Sequence, residues 1–313
     1  LQNPRLFDAF LAFQSWKLAI TDDPKGFTSN WVGHDVCNYR GVYCAPAPDD
    51  PGVITVAGVD LNHADVAGVL PEELGLLCDV ALFHLNSNRF QGSLPAEFCK
   101  LKLLFELDLS NNLFCGGFPA VVFKLPSLKF LDLRFNKFVG DVPPEVFDLQ
   151  LDALFLNDNA FKLTLPPNLG NSPVSVLVAA NIFGFGILPP AVGQMAETLN
   201  EIVLLNSGLL GSLPDEIGQL TKLTVFDVGF NHLIGTLPES IGKMVSLEQL
   251  NVAHNKLTGN IPEGICLLPR LQNFTYSDNY FCSVPRSCQN LSPDDGDENC
   301  IPCKADQRSP LEC

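Results

Sequence analysis

Leu250-Asn-Val-Ala-His-Asn-Lys-Leu-Thr-Gly-Asn-Ile-Pro262 reads L-x-L-x-x-N-x-L-x-G-x-I-P, and versions of that phrase recur nine times between Leu61 and Pro262, mostly at 24-residue intervals. A chain that repeats one phrase builds one structural unit over and over and stacks the copies. Leucines two apart, such as Leu107 and Leu109, point to one side of a short strand, and Asp108 between them points to the other. One coil cannot bury its leucines alone, so each coil adds a strand to a parallel sheet and a layer to a shared core. The asparagine three residues on, at Asn88, Asn112, Asn136, Asn231 and Asn255, carries an amide that satisfies backbone groups left unpaired by the bend. Glycine permits the tight return, and proline stiffens the segment that follows. The fold expected is an α/β solenoid of about ten coils, the last an incomplete copy at Phe274, Tyr276, Asn279 and Phe281.

The departures carry information too. Ala64 and Ser207 stand where other copies have asparagine. The sixth copy, read with Val176 and Val178 inward and Asn181 as its amide, has an extra residue before Pro189, so its stacking is expected to be less regular. The organisation expected is an N-terminal cap over 1–52, the solenoid over 53–281 and a Cys-rich tail over 282–313. In the cap, Asn3, Pro4 and the spacing of Leu6, Phe7, Phe10, Phe13 and Trp16 predict a helix stopped by Asp22-Asp23-Pro24. Trp31 and the loop Cys37-x6-Cys44 then cover the open end of the core. The acidic run from Asp294 to Glu298 reads as disordered. The most apolar window, Ser175 to Val192, is broken by Asn181, Gly184, Gly186 and Pro189, which excludes a membrane span there. No signal peptide is visible, so secretion implies a leader already removed.

Eleven cysteines, concentrated toward the two ends, point to an oxidising compartment and disulfide-stapled caps. Cys37 and Cys44 form the most secure pair. Cys99 and Cys115 stand 16 apart, as do Cys266 and Cys282, in the same repeat phases; both pairs are bridged or neither is, with Cys266 to Cys288 as the alternative. On the first scheme Cys288, Cys300, Cys303 and Cys313 staple the tail, and Cys300-x-x-Cys303 reads as a structural disulfide rather than a zinc or redox motif. The odd cysteine is then Cys78, whose place in the repeat is exposed elsewhere, which points to a disulfide-linked homodimer. The sequons Asn273-Phe-Thr and Asn290-Leu-Ser fit an extracellular glycoprotein.

A net charge of −16, from 19 basic and 35 acidic residues, disfavours nucleic acid and anionic membrane surfaces and favours a basic partner, although solubility alone also explains it. The repeat register assigns side chains to the solvent side of the sheet. Phe130, Phe135, Phe155, Leu177, Val203, Leu205 and Phe230 form an apolar middle there, flanked by Glu106, Asp108, Asp132, Asp158, Glu201 and Asp227. Exposed apolar surface rimmed by charge marks a binding site; the plainer reading is that these side chains lie flat and extend the core. Catalysis finds little support. The chain has no H-E-x-x-H or G-x-S-x-G, its five histidines are dispersed, and no cofactor or metal motif is present. Asp108 and Asp132 stand about 5 Å apart on adjacent strands, a spacing glycosidases use, but aligned repeats generate such pairs automatically.

The Ile-Pro form of the repeat, with Trp31 and the Cys37-x6-Cys44 cap, resembles the plant extracellular leucine-rich repeat class, which includes receptor-kinase ectodomains and polygalacturonase-inhibiting proteins. More narrowly, Cys37-Asn-Tyr-Arg-Gly-Val-Tyr-Cys-Ala-Pro46, Leu82-Phe-His-Leu-Asn-Ser-Asn-Arg-Phe90, Leu128-Lys-Phe-Leu-Asp-Leu-Arg-Phe-Asn136 and Asn273-Phe-Thr-Tyr276 are similar to leucine-rich repeat extensins. The resemblance implies a plant-type leucine-rich repeat superhelix with a concave parallel sheet. It also implies a secreted cell-wall protein that binds rapid alkalinization factor peptides, which are small, basic and Cys-rich, and so regulates wall integrity and growth. Wall anchorage in that family lies in a proline-rich extensin region, whose Ser-Pro repeats this sequence lacks. A polygalacturonase inhibitor and a receptor-like ectodomain are the alternatives; the Cys-rich tail after Phe281 argues against the first.

Overall fold

Most copies of the repeat fold into a short strand, a turn, a second short strand and a 3-10 turn that starts after a proline; after Pro262 the turn is α-helical. In the computed structural model, which describes residues 3–184, 186–291 and 295–313, the coils fall into two units, Leu1–Asp141 and Val142–Cys313. In the first unit the strands Ile54–Asp60, Leu82–His84, Glu106–Asp108 and Phe130–Asp132 pair in parallel and in register. Alternation puts Val59, Phe83, Leu107 and Leu131 in the core, all fully buried, and sets Asp60, His84, Asp108 and Asp132 on the opposite side. The 3-10 segments Glu72–Leu76, Ala96–Lys100 and Ala120–Lys124 follow Pro71, Pro95 and Pro119.

The open end of this core is covered by the helix Pro4–Ala19. Asn3 caps it by accepting from Arg5 N and Leu6 N at 3.1 and 3.3 Å, and Pro4 occupies the first turn, where a missing N–H does no harm. Phe13 and Trp16 are fully buried, and the Trp16 ring packs 5.6 Å from Trp31 and 5.7 Å from Phe83. The strand Val42–Pro46 runs antiparallel to Ile54–Asp60 and carries Cys44, which is bridged to Cys37.

In the second unit the strands Ala153–Phe155, Val176–Val178, Glu201–Val203, Val225–Asp227, Gln249–Asn251 and Asn273–Thr275 form the corresponding sheet. A second row of strands, Ala160–Leu163, Phe183–Gly184, Leu210–Gly211, His232–Gly235, Lys256–Asn260 and Tyr280–Ser283, lies along its flank. Asparagine amides tie coil to coil. Asn255 Nδ2 donates to Val228 O, Val252 O and Ala253 O at 3.0 to 3.1 Å, and its Oδ1 accepts from Leu233 N at 3.0 Å.

Three expectations are corrected here. In the sixth coil Leu177, not Val176 and Val178, faces the core: it pairs with Leu154 and Ile202 and is fully buried. The buried Ile182 therefore takes the amide position, and Asn181 sits one residue earlier on the exposed rim. Coils six and seven press together at Gly184 and Gly208. A Cβ on Gly184 would collide with the Ser207 carbonyl oxygen, and one on Gly208 with that of Gly184. In the seventh coil, where Ser207 stands in place of the asparagine, the Ser207 hydroxyl donates to Leu204 O at 2.7 Å and Asn231 Oδ1 accepts from both Ser207 N and Leu209 N.

The second correction concerns the cysteines. Cys266 pairs with Cys288, and Cys300 pairs with Cys313, while Cys78, Cys99, Cys115, Cys282 and Cys303 are unpaired. Cys266 ends the helical turn Glu263–Cys266 and Cys288 lies in the turn Arg286–Asn290 of the next coil, so the two stack, whereas Cys282 projects from the strand Tyr280–Ser283. Cys99 and Cys115 are separated in the same way, one on the 3-10 segment and one on the strand Leu113–Gly116. The third correction is the acidic run. Asp295 O, Asp297 O and Glu298 O accept from Tyr276 N, Asp278 N and Asn279 N, and the fully buried Asn299 donates to Tyr276 O, so these residues form a further coil. Asp294, Ser292 of the second sequon and the Asn290 side chain lie outside the described residues.

Candidate functional site

In the first unit the register sets Glu106 between Leu82 and Phe130, and Asp108 between His84 and Asp132. Three carboxylates therefore share two adjacent strands, each with a different environment. Glu106 Oε2 lies 2.9 Å from His84 Nε2. Asp108 Oδ1 accepts from Ser110 N at 2.9 Å and from the Ser110 hydroxyl at 2.5 Å. Asp132 is fully buried; its Oδ1 accepts from Arg134 N at 3.1 Å, and Oδ2 lies 2.9 Å from Arg134 Nε in an ion pair that is not a well-directed hydrogen bond. Burial pushes the Asp132 carboxyl up to about 7, with the Asp108 charge adding to the rise and Arg134 opposing it. Phe130 is half-buried, whereas Phe135 is 46% exposed.

In the second unit Val178, Val203, Asp227 and Asn251 form one row on the solvent side, and Val176, Glu201, Val225 and Gln249 form the next. Val178 thus stands where Leu177 was expected. Phe155, Glu201, Val203 and Leu205 are half-buried. Asp227 accepts from Gly229 N at 3.0 Å, and burial raises its carboxyl above the ordinary range despite that bond and one from Asn251. Along the rim, Asp158 accepts from Asn157 Nδ2 at 2.7 Å and Asn181 Nδ2 at 3.0 Å. Phe230, 52% exposed, stacks on the His254 ring with centroids 3.9 Å apart, and His254 Nε2 lies 3.3 Å from Asp278 Oδ2.

Phe135 and Phe230 share a backbone feature that sequence does not display. Both have φ of 53°, the left-handed region, at a rim position filled by Ser87, Asn111, Asp158, Asn206, His254 and Asp278 in other coils. Polar residues tolerate that conformation; a bulky aromatic there is strained by about 1 kcal/mol or more. Both rings remain about half exposed. His84, Val178, His254 and Asp278 join the set drawn from sequence, and Leu177 and Asp132, both fully buried, leave it. The rim histidines were visible in the repeat phase; the signal for Val178 was masked because every residue from Val176 to Ala180 is apolar. The described residues hold no group of three or more side chains arranged for a metal ion, and no helix among them is long and apolar enough to cross a membrane. Of the cysteines outside the bridges, Cys78, Cys115, Cys282 and Cys303 are exposed. Asn273 is exposed on its strand.

The leucine rich repeat N-terminal domain profile matches residues 8–45, and the Leucine Rich Repeat profile matches 127–149, 222–244 and 246–268. The chain is 67% identical to leucine-rich repeat extensin-like protein 6 of Arabidopsis thaliana, over 100% of this chain and 67% of that protein. It is 57% identical to leucine-rich repeat extensin-like protein 7 of the same plant, over 100% of this chain and 72% of that protein. Two longer proteins of that series are spanned only to 29% and 26% of their length. Among solved structures, the ectodomain of the Arabidopsis receptor kinase HAESA, in complex with an IDA peptide hormone, superposes with a TM-score of 0.80 at 30% identity, covering 92% of this chain and 48% of that one.

Proposed function

Because the chain belongs to the leucine-rich repeat extensin-like proteins, we propose that it is a secreted, extracellular binding protein of the plant cell wall that captures basic, Cys-rich peptides of the rapid alkalinization factor type. The observation that carries this reading is an exposed phenylalanine held in left-handed backbone in each unit, Phe135 in the first and Phe230 in the second. In the first unit Glu106 and Asp108 steer and pair lysine and arginine while Phe130 and Phe135 supply apolar contact; in the second, Glu201 and Asp227 do the first and Phe155, Val178, Val203, Leu205 and Phe230 the second. Peptide capture by a similar scaffold in the HAESA complex supports the class of ligand. Wall association is assigned to an extensin region outside this chain. Cys78, exposed and unpaired, is where a disulfide-linked homodimer forms, and non-reducing electrophoresis tests that link by whether Cys78→Ser removes a dimer band.

Titration calorimetry against a panel of basic Cys-rich plant peptides and one fungal polygalacturonase tests the main reading. Saturable binding to a peptide and none to the enzyme is the expected result; the reverse makes the protein an inhibitor of that enzyme. Glu106→Lys in the first unit and Glu201→Lys in the second are made separately, and at least one is expected to weaken peptide binding at least about tenfold. Unchanged affinity in both moves the site off these two faces.

A further inference from the structure

The flank of the second unit has the opposite character to its carboxylate-bearing face. Its strands Ala160–Leu163, Phe183–Gly184, Leu210–Gly211, His232–Gly235 and Lys256–Asn260 contain Lys162, His232 and Lys256 and no aspartate or glutamate, in a chain with 35 acidic residues and 19 basic ones. The same strands expose Phe183 at 61%, Leu210 at 42% and Ile234 at 51%. Strand register sets each base beside an apolar side chain, Lys162 by Phe183, His232 by Leu210 and Lys256 by Ile234. The row is carried across the middle by the bridge between Gly186 and Leu209. None of the three bases makes an ion pair among the described residues.

We propose that this flank is a second docking surface, separate from the carboxylate-bearing face, for an extended acidic polypeptide segment that carries apolar side chains between its carboxylates. Burying Phe183, Leu210 and Ile234 under a neutral apolar partner would strip water from the neighbouring bases and leave them unpaired. A second copy of this chain, seated flank on flank, would bring bases onto bases. An acidic partner satisfies both demands at once. The row crosses five strands at about 4.8 Å each, so it runs roughly 19 Å, a length that about six residues of extended chain cover. The partner lies across the strands, so its side chains and not its main chain are read.

The probe is an acetylated, amidated octapeptide alternating glutamate and leucine, titrated against the full chain by biolayer interferometry. Its binding is expected to fall at least about tenfold in Lys162→Glu with Lys256→Glu, and again in Leu210→Ser with Ile234→Ser, while circular dichroism stays unchanged. The same charge change at Lys222 and Lys243, on the 3-10 side of the unit, is expected to leave binding within about twofold. An octapeptide alternating glutamate and serine is expected not to bind. The proposal is overturned if the glutamate–leucine peptide does not bind, or if binding survives the flank substitutions. It is equally overturned if the Lys222 and Lys243 control weakens binding as much, or if the serine peptide binds as well, since either outcome means charge attraction alone. Tighter binding of polygalacturonate, lost in the same flank variants, assigns the surface to an anionic polysaccharide instead.

Discussion

Phe230 and Asp132 show how a single residue can be set against the stability of its own coil. The left-handed backbone at Phe230 suits asparagine, as at Asn206 one coil earlier. Phe230→Asn is therefore expected to raise unfolding free energy by about 0.5–1 kcal/mol, less whatever the His254 stack contributes, and to weaken peptide binding. Thermal denaturation and calorimetry on one sample check both; a variant that loses stability and keeps affinity makes the ring structural. Asp132 works through protonation. Its carboxyl is raised from 3.8 to about 7 by burial, so between those values the folded chain holds a proton that the unfolded chain releases. This contribution to stability is fully present below about pH 4 and is lost as pH rises through about 7. The loss is a few kcal/mol, at most about 4. Asp132→Asn is expected to abolish that part of the decline, which urea denaturation at about pH 5 and about pH 8 measures.

At the scale of the coil, one buried amide does the work of several backbone bonds. Asn112 Nδ2 donates to Leu85 O, Leu109 O and Ser110 O, and its Oδ1 accepts from Phe90 N at 3.0 Å. Asn112→Ala leaves those groups buried without partners and is expected to cost about 3 kcal/mol or more, seen as a lower urea midpoint with the slope retained. The coil itself was legible in the chain because Leu107-Asp108-Leu109 alternates in plain view. The sixth coil was not: an unbroken apolar run carries no alternation, so only pairing of Leu177 with Leu154 and Ile202 chose its register. Equal spacing of Cys99 with Cys115 and Cys266 with Cys282 revealed equivalent positions, but not which sulfur each one meets. The additional coil around Asn299 escaped detection because it keeps the amide and lacks the leucine pair.

For the whole molecule, the charge of −16 makes association with a basic peptide an electrostatically assisted event. Raising salt from about 0.05 M to about 0.5 M is expected to weaken that binding roughly tenfold through the on-rate, as stopped-flow mixing would record. Binding to the lysine-bearing flank has the same salt dependence with the opposite ligand charge. A flat salt profile for the basic peptide assigns the interface to the phenylalanines and valines alone.

The repeated phrase by itself determined the coil, its inward leucines and its amide ladder, because these rest on neighbours two or three residues apart and each copy states them again; the N-terminal segment determined the helical cap, and composition the sign of the net charge. Tertiary structure alone decided which residue of the sixth coil is buried, that Cys266 reaches Cys288, that Asp132 is dry enough to hold a proton near neutral pH, and that bases and apolar side chains share one flank. Each of those depends on residues about one coil apart in sequence that meet only when coils stack, and a spacing rule does not specify what a side chain finds on the strand beside it.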